Sequence, residues 1–140
     1  KFKMFKPTNT TLYLVRGVPG CGKSTFAEQL RLSGLVTQFL EADKYFIDSE
    51  GKYIFDPSKL SEAHEWCQSR AKMYLFAGDS VAVSNTSTTE KEVAVYQRIA
   101  ELTGANFVSI IVENRNNTEN IHNVPAEKIQ QMKDRFSVKL

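Results

Sequence analysis

The sequence lacks several features that would place it in a specialised class of protein. Only two cysteines occur among its 140 residues, Cys21 and Cys67, and they show neither metal-ligand nor C-x-x-C spacing. A disulfide framework and a zinc site are therefore not expected. No apolar run approaches the ~20 residues that a membrane span needs, and the segment before Pro7 is too short for a signal peptide. These absences predict a soluble, cytoplasmic protein with no membrane partner.

An excess of charge of one sign is also missing. The 18 Lys and Arg residues against 16 Asp and Glu residues give a formal net charge of +2 at pH 7, which neither requires nor excludes a polyanionic partner. Internal repeats and linkers rich in proline, glycine or serine are absent. Because a chain of this length suits one compact domain, we expect residues 1–140 to form a single domain.

The sequence does contain a regular alternation of short β-rich runs and helical patterns. The predicted strands are Thr10–Arg16, Leu35–Leu40, Ser80–Asn85 and Phe107–Val112, and helical patterns lie at Lys23–Ser33, from Asp56-Pro57 to Gly78, from Thr89 to Thr103 and after Pro125. This alternation predicts a three-layer α/β fold with a parallel sheet of four to five strands, buried on both faces and flanked by helices. In such folds, ligands bind at the carboxyl ends of the strands.

The longest helical pattern, which ends at Gly78, carries apolar residues three or four positions apart. This spacing predicts one buried stripe along the helix, formed by Leu60, His64, Cys67, Ala71, Tyr74 and Leu75. A lone histidine on such a stripe is more often a hydrogen-bonded core residue than a catalytic one, so we expect His64 to be structural.

A phosphate-binding motif lies between the first predicted strand and the first predicted helix. Gly17–Ser24 fits G-x-x-x-x-G-K-[ST], whose glycines let backbone N–H groups turn inward around phosphate oxygens. Lys23 is expected to reach the β- and γ-phosphates, and the Ser24 hydroxyl to join the coordination of Mg²⁺. The sequence therefore predicts binding of ATP and Mg²⁺, with contacts from Gly17, Pro19, Gly20, Cys21, Gly22, Lys23, Ser24 and Thr25.

The rest of the chain favours a kinase among proteins with this motif. No Asn-Lys-x-Asp sequence is present for guanine recognition, which argues against a GTPase. The polar segment Glu113–Asn123 is predicted to be a lid, in which Arg115 closes over the phosphates; an exposed loop is the alternative. Asp43 follows the second strand, which we expect to neighbour the strand before the motif, and is the candidate base for an acceptor hydroxyl. A surface turn or a helix cap is the alternative for Asp43.

Several segments taken together resemble a known family, the AAA_33-type predicted ATP-binding kinases, relatives of the kinase domain of phage-type polynucleotide 5′-hydroxyl kinases. The matching segments are LVRGVPGCGKST at Leu14–Thr25, EADKYF at Glu41–Phe46, FDPSKLSEAHEWC at Phe55–Cys67, VAVSNTSTTEKE at Val81–Glu92, VENR at Val112–Arg115 and IHNVPAEKI at Ile121–Ile129. The resemblance implies ATP-dependent phosphoryl transfer to a hydroxyl acceptor, which could be the 5′ end of a nucleic acid, with Asp43 in the position of the base.

The chain departs from this family at two places. Relatives often carry an aspartate near the end of the third strand, where it holds Mg²⁺ through water, but this chain has Ser84 and Asn85 there. Polynucleotide kinases carry several basic lid residues, whereas Glu113–Asn123 contains Arg115 alone. Three functions therefore stay open: a kinase acting on a polynucleotide 5′-hydroxyl, a small-metabolite kinase, and a nucleotide-binding regulatory module with little catalysis.

Overall fold

A parallel sheet forms the centre of the fold. The structure is a computed structural model that describes residues 9–87, 89–115 and 124–140. Within these residues the strands are β1 (Thr11–Arg16), β2 (Gln38–Leu40), β3 (Val81–Asn85) and β4 (Asn106–Ile111). The helices are α1 (Lys23–Leu32), α2 (Leu60–Phe76), α3 (Glu90–Thr103) and α4 (Ala126–Asp134), with short 3₁₀ helices at Ala42–Phe46 and Pro57–Lys59.

The strands lie in the order β2-β3-β1-β4, and all neighbouring pairs are parallel. This arrangement confirms the predicted α/β fold with its parallel sheet. The expectation that β2 neighbours β1 is wrong, because β3 lies between them. From β1 the chain passes through α1 to β2 at the sheet edge. It then returns through α2 to β3, which pairs with both β1 and β2.

Helices cover both faces of the sheet, which gives the three predicted layers. On one face, Val15 and Ala82 pack with Ala27 of α1 and with Val36. On the other face, the alternate strand residues pack against α2 and α3; these are Leu12, Leu14, Val81 and Val83. The central strands β1 and β3 are therefore buried on both sides, as predicted.

Strand β4 does not follow that expectation. It pairs only with β1 in the described sheet, and Val108 and Ile111 remain 38% and 40% exposed. An edge strand has one neighbour instead of two, so its apolar side chains receive less cover than those of a central strand.

The buried stripe of α2 also differs from the prediction. Its buried residues are Ala63, Cys67, Ala71 and Leu75, whereas Leu60 and His64 are exposed. The prediction was wrong at these two positions because the buried residues recur every four positions from Ala63. His64 follows Ala63 by one residue, about 100° around the helix, and Leu60 lies at the helix end. His64 is therefore a surface residue and does not belong to the core.

Several helix ends match the sequence signals. Thr89 caps α3 by accepting a hydrogen bond from the Glu92 backbone N–H, and Gly104 ends the helix in a left-handed conformation. Asp56 accepts a hydrogen bond from the Ser58 backbone N–H at the start of the turn that leads into α2. In the three described stretches, no helix is long and apolar enough to cross a membrane.

Candidate functional site

The glycine-rich turn between β1 and α1 has the conformation that phosphate binding requires. Gly20 and Gly22 have φ angles of 83° and 93°, a region that residues with a Cβ rarely adopt. Lys23 begins α1, so the turn opens directly into a helix N-terminus. Backbone N–H groups at such a turn, together with the helix dipole, form a concave site for anions.

Gly17 is needed for a different reason, which is close contact. A Cβ at this position would lie 2.7 Å from the Val112 carbonyl oxygen and would also collide with the Cys21 sulfur. The Gly17 backbone N–H donates to the Thr86 carbonyl oxygen over 3.3 Å. The turn is therefore held between the residues that follow β3 and those that follow β4.

The predicted phosphate ligands lie at the start of α1. Lys23 and Ser24 are half-buried, while Thr25 is exposed. Within the turn, Pro19 is half-buried and Cys21 is buried as a free thiol. The Ser24 hydroxyl donates a hydrogen bond of 2.8 Å to Oε2 of Glu41, the residue that follows β2.

This contact also shows that the site residues fit a magnesium ion. Mg²⁺ prefers oxygen ligands and is held in kinases by one or two carboxylates together with substrate phosphates. The Ser24 hydroxyl and the Glu41 carboxylate provide two such oxygens side by side. Sequence reasoning assigned Ser24 to the metal but missed Glu41, although its position at the end of β2 was a usable signal.

Asp43 lies two residues beyond Glu41, in the 3₁₀ helix after β2, with an exposed side chain. The Tyr53 hydroxyl lies near it. Partial burial, followed by the negative charge of Asp43, raises the pKa of Tyr53 above its usual value, so this hydroxyl stays protonated near neutral pH. Asp43 therefore faces solvent at the predicted edge of the sheet, with the Tyr53 hydroxyl nearby.

Asn85 holds the segment that carries Asp43, a role that sequence reasoning did not assign. Its side-chain oxygen accepts from the buried Ala42 backbone N–H over 3.0 Å. Its side-chain nitrogen donates to the Tyr96 hydroxyl oxygen over 3.3 Å and lies 3.8 Å from the Cys67 sulfur. Burial raises the pKa of both the Cys67 thiol and the Tyr96 hydroxyl, so these partners stay uncharged.

A cluster of aromatic rings lies next to the segment that carries Asp43. Tyr53 and Phe55 are stacked with their ring planes 9° apart and their centroids 6.4 Å apart, and about half of each side chain is exposed, 52% and 49%. Phe46 is buried beneath both rings. Trp66 is half-buried and packs against Tyr45.

The predicted lid is described only at its beginning. Arg115 is exposed and forms an ion pair with Glu113, whose carboxylate accepts from its Nε over 2.8 Å. Asn114 donates from its side-chain nitrogen to the Gly20 carbonyl oxygen over 3.2 Å, so the segment after β4 contacts the phosphate-binding turn. Residues 116–123, including His122 and Asn123, lie outside the described residues.

A cavity of about 510 Å³ opens on the β4 side of the turn. Its walls come from the turn itself, from the residues after β4 and from the C-terminal segment, including Ile129, Lys133, Phe136 and Val138. Arg16 fixes part of this wall, because its buried guanidinium donates to the Ser87 and Ser137 carbonyl oxygens, each over 2.8 Å, and lies over the Phe136 ring. The volume is in the range of small-molecule binding sites.

The parallel sheet, the strand order and the glycine-rich turn before α1 define a P-loop kinase fold. Comparison with known families agrees with this class. The model of the family AAA_33, described as an AAA domain, matches residues 12–138, and the chain belongs to that family.

Among curated proteins, human NEDD4-binding protein 2 is 37% identical to this chain over 91 residues, which are 64% of the chain and 5% of that protein. The chain thus spans a small part of the length of this relative.

Solved structures share the fold at low sequence identity. A sugar kinase from Janibacter has a TM-score of 0.64 at 16% identity, covering 94% of this chain and 80% of that one. A chain of the Pnkp1/Rnl/Hen1 RNA repair complex has a TM-score of 0.62 at 15% identity, and the match covers 96% of this chain and 40% of that one. The APS kinase of Mycobacterium tuberculosis in complex with AMPPNP and APS has a TM-score of 0.55 at 18% identity, and the match covers 90% of this chain and 69% of that one.

Proposed function

We propose that the protein is a kinase that transfers the γ-phosphoryl group of ATP to a hydroxyl acceptor. The observation that carries this proposal is the hydrogen bond between Ser24 and Glu41, because it joins the phosphate-binding turn to the strand end that bears Asp43. A phosphate held by the turn and a hydroxyl beside Asp43 would then be neighbours. Catalysis of phosphoryl transfer depends mainly on such positioning and on charge stabilisation.

The nucleotide would occupy the turn and the cavity beside it. The turn's N–H groups and the Lys23 ammonium would hold the β- and γ-phosphates. The cavity next to Gly17–Cys21 has room for the adenine ring of ATP. Ser24 would hold Mg²⁺, which when bound supplies charge neutralisation on the phosphates. The complex of the APS kinase with AMPPNP, on the same fold, supports this assignment.

Asp43 is the proposed base. A carboxylate has about four lone-pair sites, and the exposed side chain of Asp43 leaves them able to accept the proton of an acceptor hydroxyl. The acceptor oxygen forms a bond to the γ-phosphorus while the bond from that phosphorus to the bridging oxygen of ADP breaks. The hydroxyl proton passes to Asp43, and ADP leaves with the bonding electron pair.

Arg115 is proposed to stabilise charge on the transferring phosphoryl group. Its ion pair with Glu113 is highly exposed, with side-chain exposures of 82% and 65%. Exposed pairs of this kind contribute only about 0–1 kcal/mol, so exchanging Glu113 for a phosphate costs little.

The acceptor class that the surroundings of Asp43 favour is a nucleic acid with a 5′-hydroxyl. The exposed, stacked rings of Tyr53 and Phe55 offer flat apolar surfaces beside the proposed base. Stacking of a nucleobase on an aromatic side chain contributes about 1–3 kcal/mol. The fold similarity to the Pnkp1/Rnl/Hen1 RNA repair complex supports the same class, while the fold similarity to a sugar kinase keeps a small acceptor as the second candidate.

The test is transfer of label from γ-labelled ATP to a panel of acceptors: 5′-hydroxyl DNA and RNA oligonucleotides, nucleosides and sugars. We expect labelled oligonucleotide 5′ ends and little labelled sugar. Phe55→Ala should raise KM for the oligonucleotide several-fold, because one stacking surface is lost. Leu102→Ala, a similar exposed apolar truncation near the end of α3 that precedes β4, serves as the matched control.

Two outcomes would contradict the proposal. Transfer to sugars alone would replace the acceptor class with a small metabolite. No transfer to any member of the panel, with ATP still bound, would favour a regulatory module without catalysis.

A further inference from the structure

The carboxyl end of β3 contains a buried polar group that the fold itself does not use. Ser84 is 2% exposed, and its hydroxyl oxygen has no hydrogen-bond partner among the described residues. Ser84 pairs in register with Val15, which packs on the α1 face of the sheet. Its side chain therefore points to the face on which α1 and the phosphate-binding turn lie.

Glu41 occupies the equivalent position one strand away. Phe39 and Leu40 of β2 pair with Ala82 and Val83 of β3. Continuing this parallel register by one residue places Glu41 beside Ser84, and Glu41 keeps an extended backbone. Since side chains alternate between faces, Glu41 shares the α1 face with Phe39 and Ala82, about 4.8 Å from the β3 position across the strand pair.

The Glu41 carboxylate reaches the phosphate-binding turn from there. Its Oε2 accepts the Ser24 hydroxyl hydrogen bond of 2.8 Å. In P-loop enzymes, the hydroxyl of the turn and a nearby carboxylate together hold Mg²⁺. In this chain the residue at the end of β3 is a serine, and the carboxylate in contact with Ser24 comes from β2.

We propose that Glu41 is the acidic residue of the magnesium site, replacing a carboxylate at the position of Ser84. This inference rests on the proposed nucleotide-binding function. In this arrangement the buried Ser84 hydroxyl faces the same site, where it would be a neutral hydrogen-bond partner for a water bound to the metal.

The neighbouring charges agree with this assignment. The Lys44 ammonium donates to the Phe39 carbonyl oxygen over 3.0 Å and lies over the Phe39 ring. Burial lowers the pKa of Lys44, while the charge of Glu41 opposes that shift. The Lys44 ammonium therefore hydrogen-bonds to a carbonyl oxygen of β2, while the Glu41 carboxylate contacts Ser24. Asp43 is a weaker candidate for the metal, because it lies in the 3₁₀ helix beyond Glu41 and its side chain is exposed.

The test measures metal dependence of nucleotide binding rather than turnover. Calorimetry gives the Kd for ATP in excess Mg²⁺ and in EDTA, and the ratio of the two is the Mg²⁺ enhancement. Glu41→Gln keeps the size of the side chain and an acceptor for Ser24, so it should fold. We expect this variant to lose about 10–100-fold of the enhancement, as changes around a metal site do. Its Kd in EDTA should be equal or tighter, because a negative charge near the phosphates is removed.

Three further variants make the result specific. Ser84→Asp introduced into the Glu41→Gln chain should restore much of the enhancement. Asp43→Asn should keep it, and so should Glu62→Gln, a nearby exposed carboxylate that accepts a hydrogen bond from Tyr45.

Equal enhancement in the wild type and in Glu41→Gln would overturn the assignment, and so would its loss in Asp43→Asn with retention in Glu41→Gln. Those outcomes leave the proposed function standing. A wild type that binds no ATP in either condition would instead contradict the proposed function, and the metal assignment with it.

Discussion

The carboxyl ends of β2 and β3 lie side by side and carry small sets of polar residues, but they use them differently. At the end of β3, Ser84 and Asn85 are buried, and Asn85 directs its side chain into the fold. At the end of β2, Glu41 contacts the phosphate-binding turn and Asp43 faces solvent. One strand end therefore holds the neighbouring segment in place, while the other presents the carboxylates that we propose for catalysis and metal binding.

Among changes at these two strand ends, the largest effect is expected from Asp43→Asn, and it is an effect on turnover. The amide keeps the size of the side chain but cannot take a proton, so turnover should fall by roughly 10²–10⁴-fold while ATP affinity stays nearly unchanged. Steady-state kinetics with the acceptor found by the panel, together with calorimetry, measures both quantities. If the variant keeps full turnover, Asp43 is merely a surface residue.

A smaller effect, on stability, is expected from Asn85→Ala. The change leaves the buried Ala42 N–H without its acceptor and removes one partner of Tyr96, so the free energy of unfolding should fall by about 2–4 kcal/mol. Denaturant unfolding of the purified chain measures the loss.

Ser84→Ala is the matched control for Asn85→Ala, one residue earlier on the same strand. It removes a buried hydroxyl that has no partner in the described residues, so stability should change by less than about 0.5 kcal/mol or increase slightly. Equal losses in the two variants would contradict the proposed difference in role between Ser84 and Asn85.

A small effect on turnover is expected from Tyr53→Phe. The variant keeps the ring that stacks on Phe55 but removes the hydroxyl near Asp43. Because an exposed polar interaction of this kind contributes about 0.5–1 kcal/mol, turnover should fall roughly two- to fivefold with KM for the acceptor unchanged. A rise in KM without a change in kcat would show that the hydroxyl binds the acceptor instead of orienting Asp43.

The phosphate-binding turn could be predicted from the sequence because all its determinants are contiguous. The glycines, Lys23 and Ser24 follow one another, and the adjacent strand and helix have clear patterns. Asp43 could be proposed for a similar reason, since it follows a strand directly. Strand boundaries were less accurate: β2 covers Gln38–Leu40 rather than Leu35–Leu40, because only these residues pair with β3.

Contacts that depend on strand order could not be predicted. The sequence does not show that β3 lies between β1 and β2, and this order is what places Glu41 beside Ser84 and Asn85 beside Ala42. The spacing of α2 likewise suggested Leu60 and His64 as core residues, but the face that packs into the core carries Ala63, Cys67, Ala71 and Leu75.

The turn at Gly17–Thr25 is proposed to hold the phosphates of ATP, and Lys23→Ala removes the side chain that would contact them. The Lys23 side chain is half-buried at the first position of α1, and alanine is a good helix former, so the fold should be unaffected. Calorimetry with ATP and Mg²⁺ should show a large loss of affinity at an unchanged melting temperature, because the charged contact to the β- and γ-phosphates is removed. Equal affinity in the wild type and the variant, with unchanged melting, would contradict the account.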